Sequence, residues 1–384
     1  MGLAKSYRFY TGDNVFDAAL NRFEYMYRTG KVVISFSAGK DSGVMVELAL
    51  IAKQMYGISD PVIVIMRDEE IMLPGTFEYA ERIANRPGVE FHWIYANQPV
   101  VNAYNRREPY FWVFDPILEP DDWVRTPPDF AYAIPEMNIE ALVTHERFGW
   151  DKDTLLYNTI GIRTSESPRR VLAIKSSKGY LTKNHGNIIK ARPLYDWTDG
   201  DVWKFIKDYG LDYNEAYDTM FRSGISKQQL RIAPPTMSSI GLKLLQAAAR
   251  AWPKWFDRVS ERLPGVRMAV NYGKKAIMPF RRYGETWEDC FNRACIKEAP
   301  EWIAERAEKQ KQVVMKKWFK YSSQPFPQKR NDAVKKFNQY SGSWEELTKT
   351  MYNGDPFAMK AQLPYVEPER FRPGGGYWGG KPTF

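Results

Sequence analysis

The stretch KVVISFSAGKDS, residues 31–42, decides the fold. Residues 31–36 are a short apolar run rich in β-branched side chains, which predicts a buried strand. Residues 42–56 return to the spacing of a helix, so the small residues between them lie at a strand-to-helix turn. Such a turn presents backbone N–H groups and the positive end of a helix dipole to an anion.

The turn SAGKDS carries groups that favour phosphate binding. Ser37 and Ser42 offer hydroxyl donors, Gly39 allows a close backbone approach, and Lys40 supplies positive charge. The Walker A pattern is not met, because Asp41 separates Lys40 from Ser42 and no Gly lies five positions before Gly39. The turn therefore predicts an anion site of another kind, with an ordinary strand-to-helix turn as the alternative.

Strands and helices alternate on both sides of this turn. Further buried strands are predicted at 61–66, 89–95 and 155–162, and helices at 14–28, 74–86, 199–209 and 214–221. The βαβαβ order of the first part implies a parallel sheet covered by helices. Residues 99–135, rich in Pro, Asp and Trp, show no period and predict an ordered insertion.

A second motif, GIRTSESPRR at residues 161–170, follows a predicted strand. Its arginines bracket Glu166, and the guanidinium fork suits the oxygens of phosphate or sulfate. Glu166 would orient an arginine or help to hold a magnesium ion. From these residues alone, a surface salt-bridge cluster is the alternative.

A third motif, PLYDWTDGDVWKFI at residues 193–206, predicts a capped helix. Thr198 or Asp199 is the expected N-cap, and Phe205 and Ile206 are expected to face the core. We therefore expect most of this motif, its tryptophans included, to be structural.

The three motifs together resemble those of the PP-loop ATP pyrophosphatases and PAPS reductases, which share the adenine nucleotide α-hydrolase fold. The superfamily's loop is Ser-Gly-Gly-x-Asp-Ser, and Ala38 here replaces the first Gly. The resemblance covers residues 14–235. It implies an α/β fold with a parallel five-stranded Rossmann-like sheet and helices on both faces. It also implies ATP or PAPS as the ligand, together with Mg²⁺.

The resemblance implies two sets of site residues. Lys40, Asp41, Arg163 and Arg170 are the expected catalytic residues. The expected nucleotide-binding residues are Ser35, Ser37, Gly39, Ser42, Gly43, Asp68, Gly161, Glu166, Ser167 and Arg169. No protein metal ligands are expected, since the 3 His residues show no metal-ligand spacing.

The cysteines separate this chain from the thiol-dependent members of the superfamily. Those members attack the sulfo group with a cysteine in a C-terminal tail, or carry cysteines for an iron–sulfur cluster. Here the 2 Cys residues are Cys290 and Cys295, and both are expected to be packing thiols. We therefore expect no iron–sulfur cluster and no self-sufficient PAPS reduction.

The positive charge of the chain lies in its C-terminal third. The whole chain has a net charge of +9, while residues 241–340 hold 22 Lys or Arg and 10 Asp or Glu, a net charge of +12. We predict a first domain over 1–235, a mainly helical basic extension over 236–365 and a flexible tail over 366–384.

Basic and aromatic side chains interleave within the extension, a combination that suits nucleic-acid binding. The residues concerned are Lys316, Lys317, Trp318, Lys320 and Arg330. The alternative is a helical bundle in which the aromatics form a core and the lysines form the solvated face.

The insertion and the residues after Tyr217 resemble a bacterial and phage subgroup that includes the immunoglobulin-binding regulator A family. That resemblance implies a partner protein with a ParB-like nuclease fold.

No apolar run approaches the roughly 20 residues of a membrane helix, so a cytoplasmic protein is expected. The sequence does not decide the oligomeric state.

Three functions stay open at this point. The first is an enzyme that attacks the α-phosphate of its nucleotide, adenylylates an acceptor and releases pyrophosphate. The second is a sulfonucleotide reductase that borrows its thiol from a partner. The third is a nucleotide-sensing DNA-binding regulator without catalysis.

Overall fold

The computed structural model describes residues 12–135, 142–177, 179–183, 186–227, 230–235, 241–273, 277–331 and 341–372. The chain divides into two compact units. The first comprises the described residues up to Gln98 together with 114–233, and the second comprises 99–113 together with the described residues from Pro234 onward. Residues 99–113 thus group with the second unit, whereas the sequence predicts the whole insertion inside the first domain.

Nine strands occur in the described residues. They are β1 Lys31–Phe36, β2 Val62–Arg67, β3 Val89–Tyr95, β4 Gln98–Val101, β5 Tyr110–Val113, β6 Tyr132–Ala133, β7 Leu156–Thr159, β8 Leu181–Lys183 and β9 Ile188–Ala191.

The helices of the first unit are α1 Val15–Thr29, α2 Lys40–Tyr56, α3 Thr76–Ala84, α4 Pro168–Ser177, α5 Asp199–Asp208 and α6 Ala216–Arg222. Those of the second unit are α7 Leu242–Ala251, α8 Pro253–Arg262, α9 Val266–Tyr272, α10 Trp287–Phe291, α11 Glu301–Tyr321 and α12 Trp344–Met351. The predicted mainly helical character of the C-terminal region is therefore confirmed.

Seven of the strands form one sheet in the order β6-β3-β2-β1-β7-β9-β8. All neighbours run parallel except β8, which is antiparallel to β9. This confirms the predicted parallel, Rossmann-like fold but not the predicted count of five strands. The two additional strands, β6 and β8, lie at the edges and have only 2 and 3 residues, too few to show an apolar pattern.

The strand order reverses beside β1. The chain runs from β1 outward to β2 and β3 on one side, whereas β7 pairs with the opposite edge of β1. Ile34 is in register with Thr159, so the residues that follow β1 and β7 emerge side by side. Connections that leave in opposite directions open a crevice at the carboxyl ends of the strands, which is where open α/β sheets bind ligands.

Two glycines are fixed by close approach at the ends of α1 and α2. A Cβ on Gly30 would lie 2.3 Å from the Leu155 carbonyl oxygen, and one on Gly43 would lie 2.1 Å from the Tyr79 hydroxyl. Both distances are far below van der Waals contact. Gly30 thus lets α1 end against the residue that precedes β7, and Gly43 lets Tyr79 pack on the first turn of α2.

The third motif is structural, as predicted. Arg22 and Asp196 form a buried two-point ion pair with N–O distances of 2.8 and 2.6 Å. The indole Nε1 of Trp197 donates to the Val15 carbonyl at 3.0 Å, and Thr198 caps α5. These contacts attach α1 and α5 to the same side of the first unit's core.

The second unit has a core of its own, which contains both cysteines. Cys290 and Cys295 are free and fully buried. Burial raises the pKa of the Cys295 thiol to about 12, and the pKa of Cys290 is also raised, chiefly by burial. These positions confirm the expectation of packing thiols, because neither sulfur is exposed or activated.

Two expectations for the second unit need correction. Trp318 is 2 % exposed, and its Nε1 donates to the Gln324 carbonyl, so this ring is not available to stack on a base. The predicted flexible tail begins with ordered residues: Val366 and Phe371 are buried in an apolar cluster with Trp302. Residues 373–384 lie outside the described residues.

In the part of the chain that is described, no helix is both long and apolar enough to cross a membrane.

Candidate nucleotide site

A cavity of about 380 Å³ opens in the first unit where β1 and β7 end. It is lined by Ser35, Ser37, Gly39, Lys40, Asp41, Ser42, Ile160, Gly161, Ile162, Glu166, Arg170, Tyr217, Leu230, Arg231 and Ile232. Nine predicted site residues are among them: Ser35, Ser37, Gly39, Lys40, Asp41, Ser42, Gly161, Glu166 and Arg170. The fold thus brings the phosphate loop and the arginine motif to one cavity.

The phosphate loop, which we define as residues 37–42, turns at Ala38. Ala38 is fully buried and has φ +54°, in the left-handed region that glycine prefers. For an L-residue this conformation costs about 1–2 kcal/mol. Asn214 supports the turn, since its Nδ2 donates to the Ala38 carbonyl at 3.0 Å. The position where the superfamily carries Gly is therefore one where the backbone favours Gly.

The hydroxyl of Ser42 closes the phosphate loop from inside. It donates to the Gly39 carbonyl at 2.9 Å and accepts from the Ser37 N–H at 3.2 Å. The N–H of Lys40 donates to the Tyr217 hydroxyl at 3.1 Å. No acceptor among the described residues takes up the N–H groups of Gly39 and Ser42, as is usual for the first turn of a helix. These groups are free to bind an anion.

Lys40 and Arg163 form a charge network with two carboxylates beside the loop. Lys40 Nζ lies 3.3 Å from Asp41 Oδ2 and 3.2 Å from Asp199 Oδ1. Arg163 Nε lies 2.5 Å from Asp41 Oδ1, and its Nη2 lies 3.3 Å from Asp199 Oδ1. Arg163 is only 2 % exposed and does not line the cavity. It positions Asp41, so its predicted role as a residue in contact with the nucleotide is not what the geometry indicates.

The arginine motif reaches the cavity through Glu166 and Arg170, which form an ion pair with each other. Burial lowers the pKa of Arg170, and the positive charges of Arg231 and Arg163 lower it further. Two cations therefore lie within electrostatic reach of Arg170: Arg231, which lines the cavity, and Arg163, which is buried beside it.

Besides Arg163, four predicted residues lie elsewhere or are not described. Gly43 faces Tyr79, and the Ser167 hydroxyl accepts a long 3.4 Å bond from the Arg170 N–H. Asp68 lies at the end of β2 and does not line the cavity. The side chain of Arg169 is outside the described part of the chain.

Asp68 belongs to a second polar group, which we call the β2-end cluster: Asp68, Glu70, Trp93 and Arg125. Asp68 Oδ2 accepts from Trp93 Nε1 at 2.8 Å and from Arg125 Nη1 at 2.9 Å, and its Oδ1 accepts from the Glu70 N–H at 2.9 Å. Burial raises the pKa of Asp68, and Arg125 opposes that shift. The carboxylate is thus held by the protein itself.

Glu70 completes the β2-end cluster by holding a loop of the insertion. It is fully buried, and its two oxygens accept from the N–H groups of Phe114 at 2.6 Å and Val124 at 2.9 Å. The resemblance implies that Asp68 binds the nucleotide. In the structure, Asp68 instead accepts from Trp93, and Glu70 anchors the loop through Phe114 and Val124.

Sequence reasoning missed several residues of the cavity. Asp199 lies in the third motif, which the sequence predicts to be structural, but it pairs with Lys40. Tyr217, which follows that motif, lines the cavity. Residues 230–232 come from a stretch with no periodic pattern, so only the fold brings Arg231 to the phosphate loop. Within the described residues, no group of three or more His, Cys, Asp or Glu side chains could hold a metal ion.

The fold and the cavity define the class: an α/β protein with a mostly parallel sheet and a cavity at its topological switch point. Residues 151–224 match the family described as phosphoadenosine phosphosulfate reductase domain. That segment contains the arginine motif and the third motif, and the match confirms the predicted resemblance to PAPS reductases. The phosphate loop lies before the matched residues.

Two curated proteins are similar to parts of the chain. The uncharacterized protein YbdN of Escherichia coli K12 is 28 % identical over 244 residues, which cover 58 % of this chain and 59 % of that protein. An adenosine 5′-phosphosulfate reductase of Staphylococcus haemolyticus is 23 % identical over 215 residues, covering 55 % of this chain and 76 % of the reductase. The match thus spans well under two thirds of YbdN.

Solved structures also show a distant likeness. Candida glabrata FMN adenylyltransferase with FAD and pyrophosphate gives a TM-score of 0.34 at 16 % identity, over 55 % of this chain and 63 % of that one. Candida auris PAPS reductase with phosphate gives 0.30 at 12 % identity, over 52 % and 83 %. These scores are too low to carry an argument about the ligand.

Proposed function

We propose that the chain is an enzyme that binds an adenine nucleotide, ATP or PAPS, in the cavity between β1 and β7. It would act at the α-phosphate, transferring the adenylyl group to an acceptor and releasing pyrophosphate. The observation that carries this proposal is the convergence of free N–H groups, Lys40 and Arg170 on one cavity. The reductase named among the relatives supports a nucleotide ligand.

The α-phosphate would lie over the phosphate loop. The N–H groups of Gly39 and Ser42 and the N-terminus of α2 attract negative charge, and Lys40 adds a buried cation beside them. Arg163 would keep Asp41 in place by its 2.5 Å ion pair. Each of these groups is ordered by the protein before the nucleotide arrives.

In the reaction, a nucleophilic atom of the acceptor attacks the α-phosphorus. The new acceptor–phosphorus bond forms as the bond to the leaving pyrophosphate breaks, and the acceptor's proton passes to solvent. The cations and N–H groups around the cavity stabilise the negative charge that grows on the leaving oxygens. Positioning and electrostatics supply the catalysis in this proposal.

The cavity also fits the Mg²⁺ that the resemblance implies. Magnesium in nucleotide sites is held by one or two carboxylates together with the phosphates. Asp41 and Glu166 are carboxylates that line the cavity, so they would hold the ion. When bound, Mg²⁺ would neutralise part of the phosphate charge.

The test uses the full chain, ATP labelled at the α-phosphate, Mg²⁺ and candidate acceptors. Pyrophosphate release and a labelled acceptor are expected from the wild type, and Asp41→Asn should lower the rate about 100-fold or more, as loss of preorganised charge does. Asp208→Asn, an exposed carboxylate on α5, is the matched control and should keep full activity. A wild type that binds ATP but never releases pyrophosphate contradicts the adenylylation proposal.

A sulfonucleotide reductase with a partner thiol is the second candidate, favoured by the match to the PAPS reductase domain. A partner dithiol would be oxidised to a disulfide while PAPS is converted to sulfite and adenosine 3′,5′-bisphosphate. The test supplies PAPS and a reduced dithiol protein. Sulfite formation by wild type and by the double variant Cys290→Ser and Cys295→Ser supports this candidate, because both native thiols are buried.

Nucleic-acid binding by the second unit is a third candidate, favoured by one exposed face of α11. Lys316, Phe319 and Lys320 are exposed and spaced so that they share that face. Lys316→Gln with Lys320→Gln should reduce the salt slope of DNA affinity by about 2, because each phosphate contact contributes about 0.9. Lys204→Gln, an exposed lysine on α5, is the control. A salt slope that is unchanged in the double variant contradicts nucleic-acid binding by this face.

A partner protein with a ParB-like fold stays a prediction.

A further inference from the structure

Arg231 differs from the other cations of the cavity because no described residue supplies a counter-ion for it. Lys40 contacts two carboxylates, and Arg170 is paired with Glu166. No carboxylate of the described residues pairs with Arg231, and its side chain is exposed at the cavity. Among the described residues, no carboxylate therefore neutralises the positive charge of Arg231.

Arg170 and Arg231 reach the cavity from elements other than the phosphate loop. Arg170 lies in the first turn of α4, after β7. Arg231 lies in the segment 230–232, and Ile232 of that segment lies 4.0 Å from the position of a Cβ on Gly39. This segment therefore lies beside the phosphate loop and brings a guanidinium to the cavity.

Arg170 and Arg231 line the same cavity. The charge of Arg231 lowers the pKa of Arg170, second only to burial. Like charges near one another are unfavourable unless an anion lies between them. Of these two arginines, Glu166 pairs with Arg170 alone, and it is shared with Arg163 at 3.7 Å, so the two arginines together keep an excess of positive charge.

We propose that Arg170 and Arg231 form a second oxyanion subsite, separate from the phosphate loop, for a tetrahedral oxyanion of the nucleotide other than its α-phosphate. The proposal rests on the proposed function and specifies its substrate. In ATP this oxyanion is the β,γ-diphosphate that leaves as pyrophosphate, and in PAPS it is the 3′-phosphate. A guanidinium fork binds two oxygens of either group.

The test measures dissociation constants by calorimetry for AMP, ATP, pyrophosphate and adenosine 3′,5′-bisphosphate. Arg231→Gln should weaken ATP and pyrophosphate about tenfold or more and leave AMP within twofold, because a charge-assisted contact is lost at the distal group alone. Arg231→Lys keeps the charge without the fork and should lose about threefold. Arg222→Gln, an exposed arginine at the end of α6, is the matched control and should bind every ligand as wild type does.

Each outcome decides the matter. If Arg231→Gln weakens adenosine 3′,5′-bisphosphate but not ATP or pyrophosphate, the subsite holds a 3′-phosphate and the substrate is of the PAPS type. Equal binding of all four ligands by wild type and Arg231→Gln overturns the subsite, as does an equal loss for AMP and ATP. A wild type that binds none of the four instead overturns the proposed function on which the subsite rests.

Discussion

The carboxyl edge of the first unit's sheet carries two polar groups that look alike in sequence and differ in structure. The β2-end cluster follows β2, and the nucleotide cavity lies between β1 and β7. In the β2-end cluster, each carboxylate oxygen meets a donor from the protein: Asp68 has three and Glu70 has two. In the cavity, the N–H groups of Gly39 and Ser42 and the guanidinium of Arg231 have no such partner among the described residues.

Whether the polar groups have partners within the protein indicates where a ligand is expected. Buried polar groups must find partners, so a cluster that satisfies itself is part of the scaffold. A cluster whose hydrogen-bond donors have no protein partner at a cavity can donate them to a ligand. Substitutions in the β2-end cluster should therefore change the free energy of unfolding, and those in the cavity should change nucleotide affinity.

The largest effect is expected for Lys40→Met. Removing a buried cation beside the phosphates should weaken ATP binding about 30-fold or more. The unfolding free energy should change by less than about 1 kcal/mol, because Arg163 still pairs with both Asp41 and Asp199. Calorimetry and urea denaturation measure the two quantities.

Lys53→Met is the control for that variant. Lys53 lies on the same helix, is equally buried, and packs on the ring of Tyr27 away from the cavity. If Lys53→Met keeps its ATP affinity and Lys40→Met loses it, the effect is specific to the cavity. An equal loss in both variants would mean that any buried charge on α2 matters, and would contradict a specific role of Lys40.

The reverse pattern is expected for Glu70→Gln. The amide keeps one acceptor and turns its NH₂ group toward the other backbone N–H, which should cost about 2 kcal/mol of stability. ATP affinity should stay within twofold. Urea denaturation followed by circular dichroism gives the first value and calorimetry the second. A stable variant with lost ATP binding would place the nucleotide at the β2-end cluster.

An intermediate effect is expected at Ala38, where the backbone is left-handed. Ala38→Val should weaken ATP binding about tenfold, because a β-branched residue resists this conformation. Ala38→Gly should bind ATP within twofold of wild type, since glycine adopts it without strain. The paired calorimetric titrations check this, and equal affinities for Val and Gly would contradict a role for the turn.

The smallest effect is expected for Tyr217→Phe. The buried hydroxyl holds the Lys40 N–H, and burial raises its pKa, so it stays protonated. Its loss should cost about 1 kcal/mol of stability and about threefold in ATP affinity, since one hydrogen bond beside the loop is removed. A loss above about 30-fold would instead make Tyr217 a principal ligand contact.

The sequence predicts the parts of this site that are local. The strand, turn and helix of residues 31–56 follow from apolar spacing, and the donors of the phosphate loop are adjacent in the chain. Pairing of β1 with β7 brings Gly161 and Glu166 next to that loop, and a parallel sheet with the superfamily's topology predicts this.

What the sequence does not predict depends on tertiary contacts. Arg163 and Arg170 are equivalent in a motif, but only packing buries one behind Asp41 and turns the other toward the cavity. The acidic run at Asp68 gives no sign that Trp93, Arg125 and the insertion supply its donors. The same holds for Trp318, whose neighbours along α11 are exposed lysines although its ring is in a core.

Hydrogen–deuterium exchange with and without saturating ATP tests the central claim most directly. We expect slower exchange in peptides covering residues 37–43 and 160–170, because ATP takes up the free N–H groups of the phosphate loop and covers the arginine motif. Residues 114–125, already bonded to the β2-end cluster, should not change. Protection at 114–125 with none at 37–43 would contradict the account.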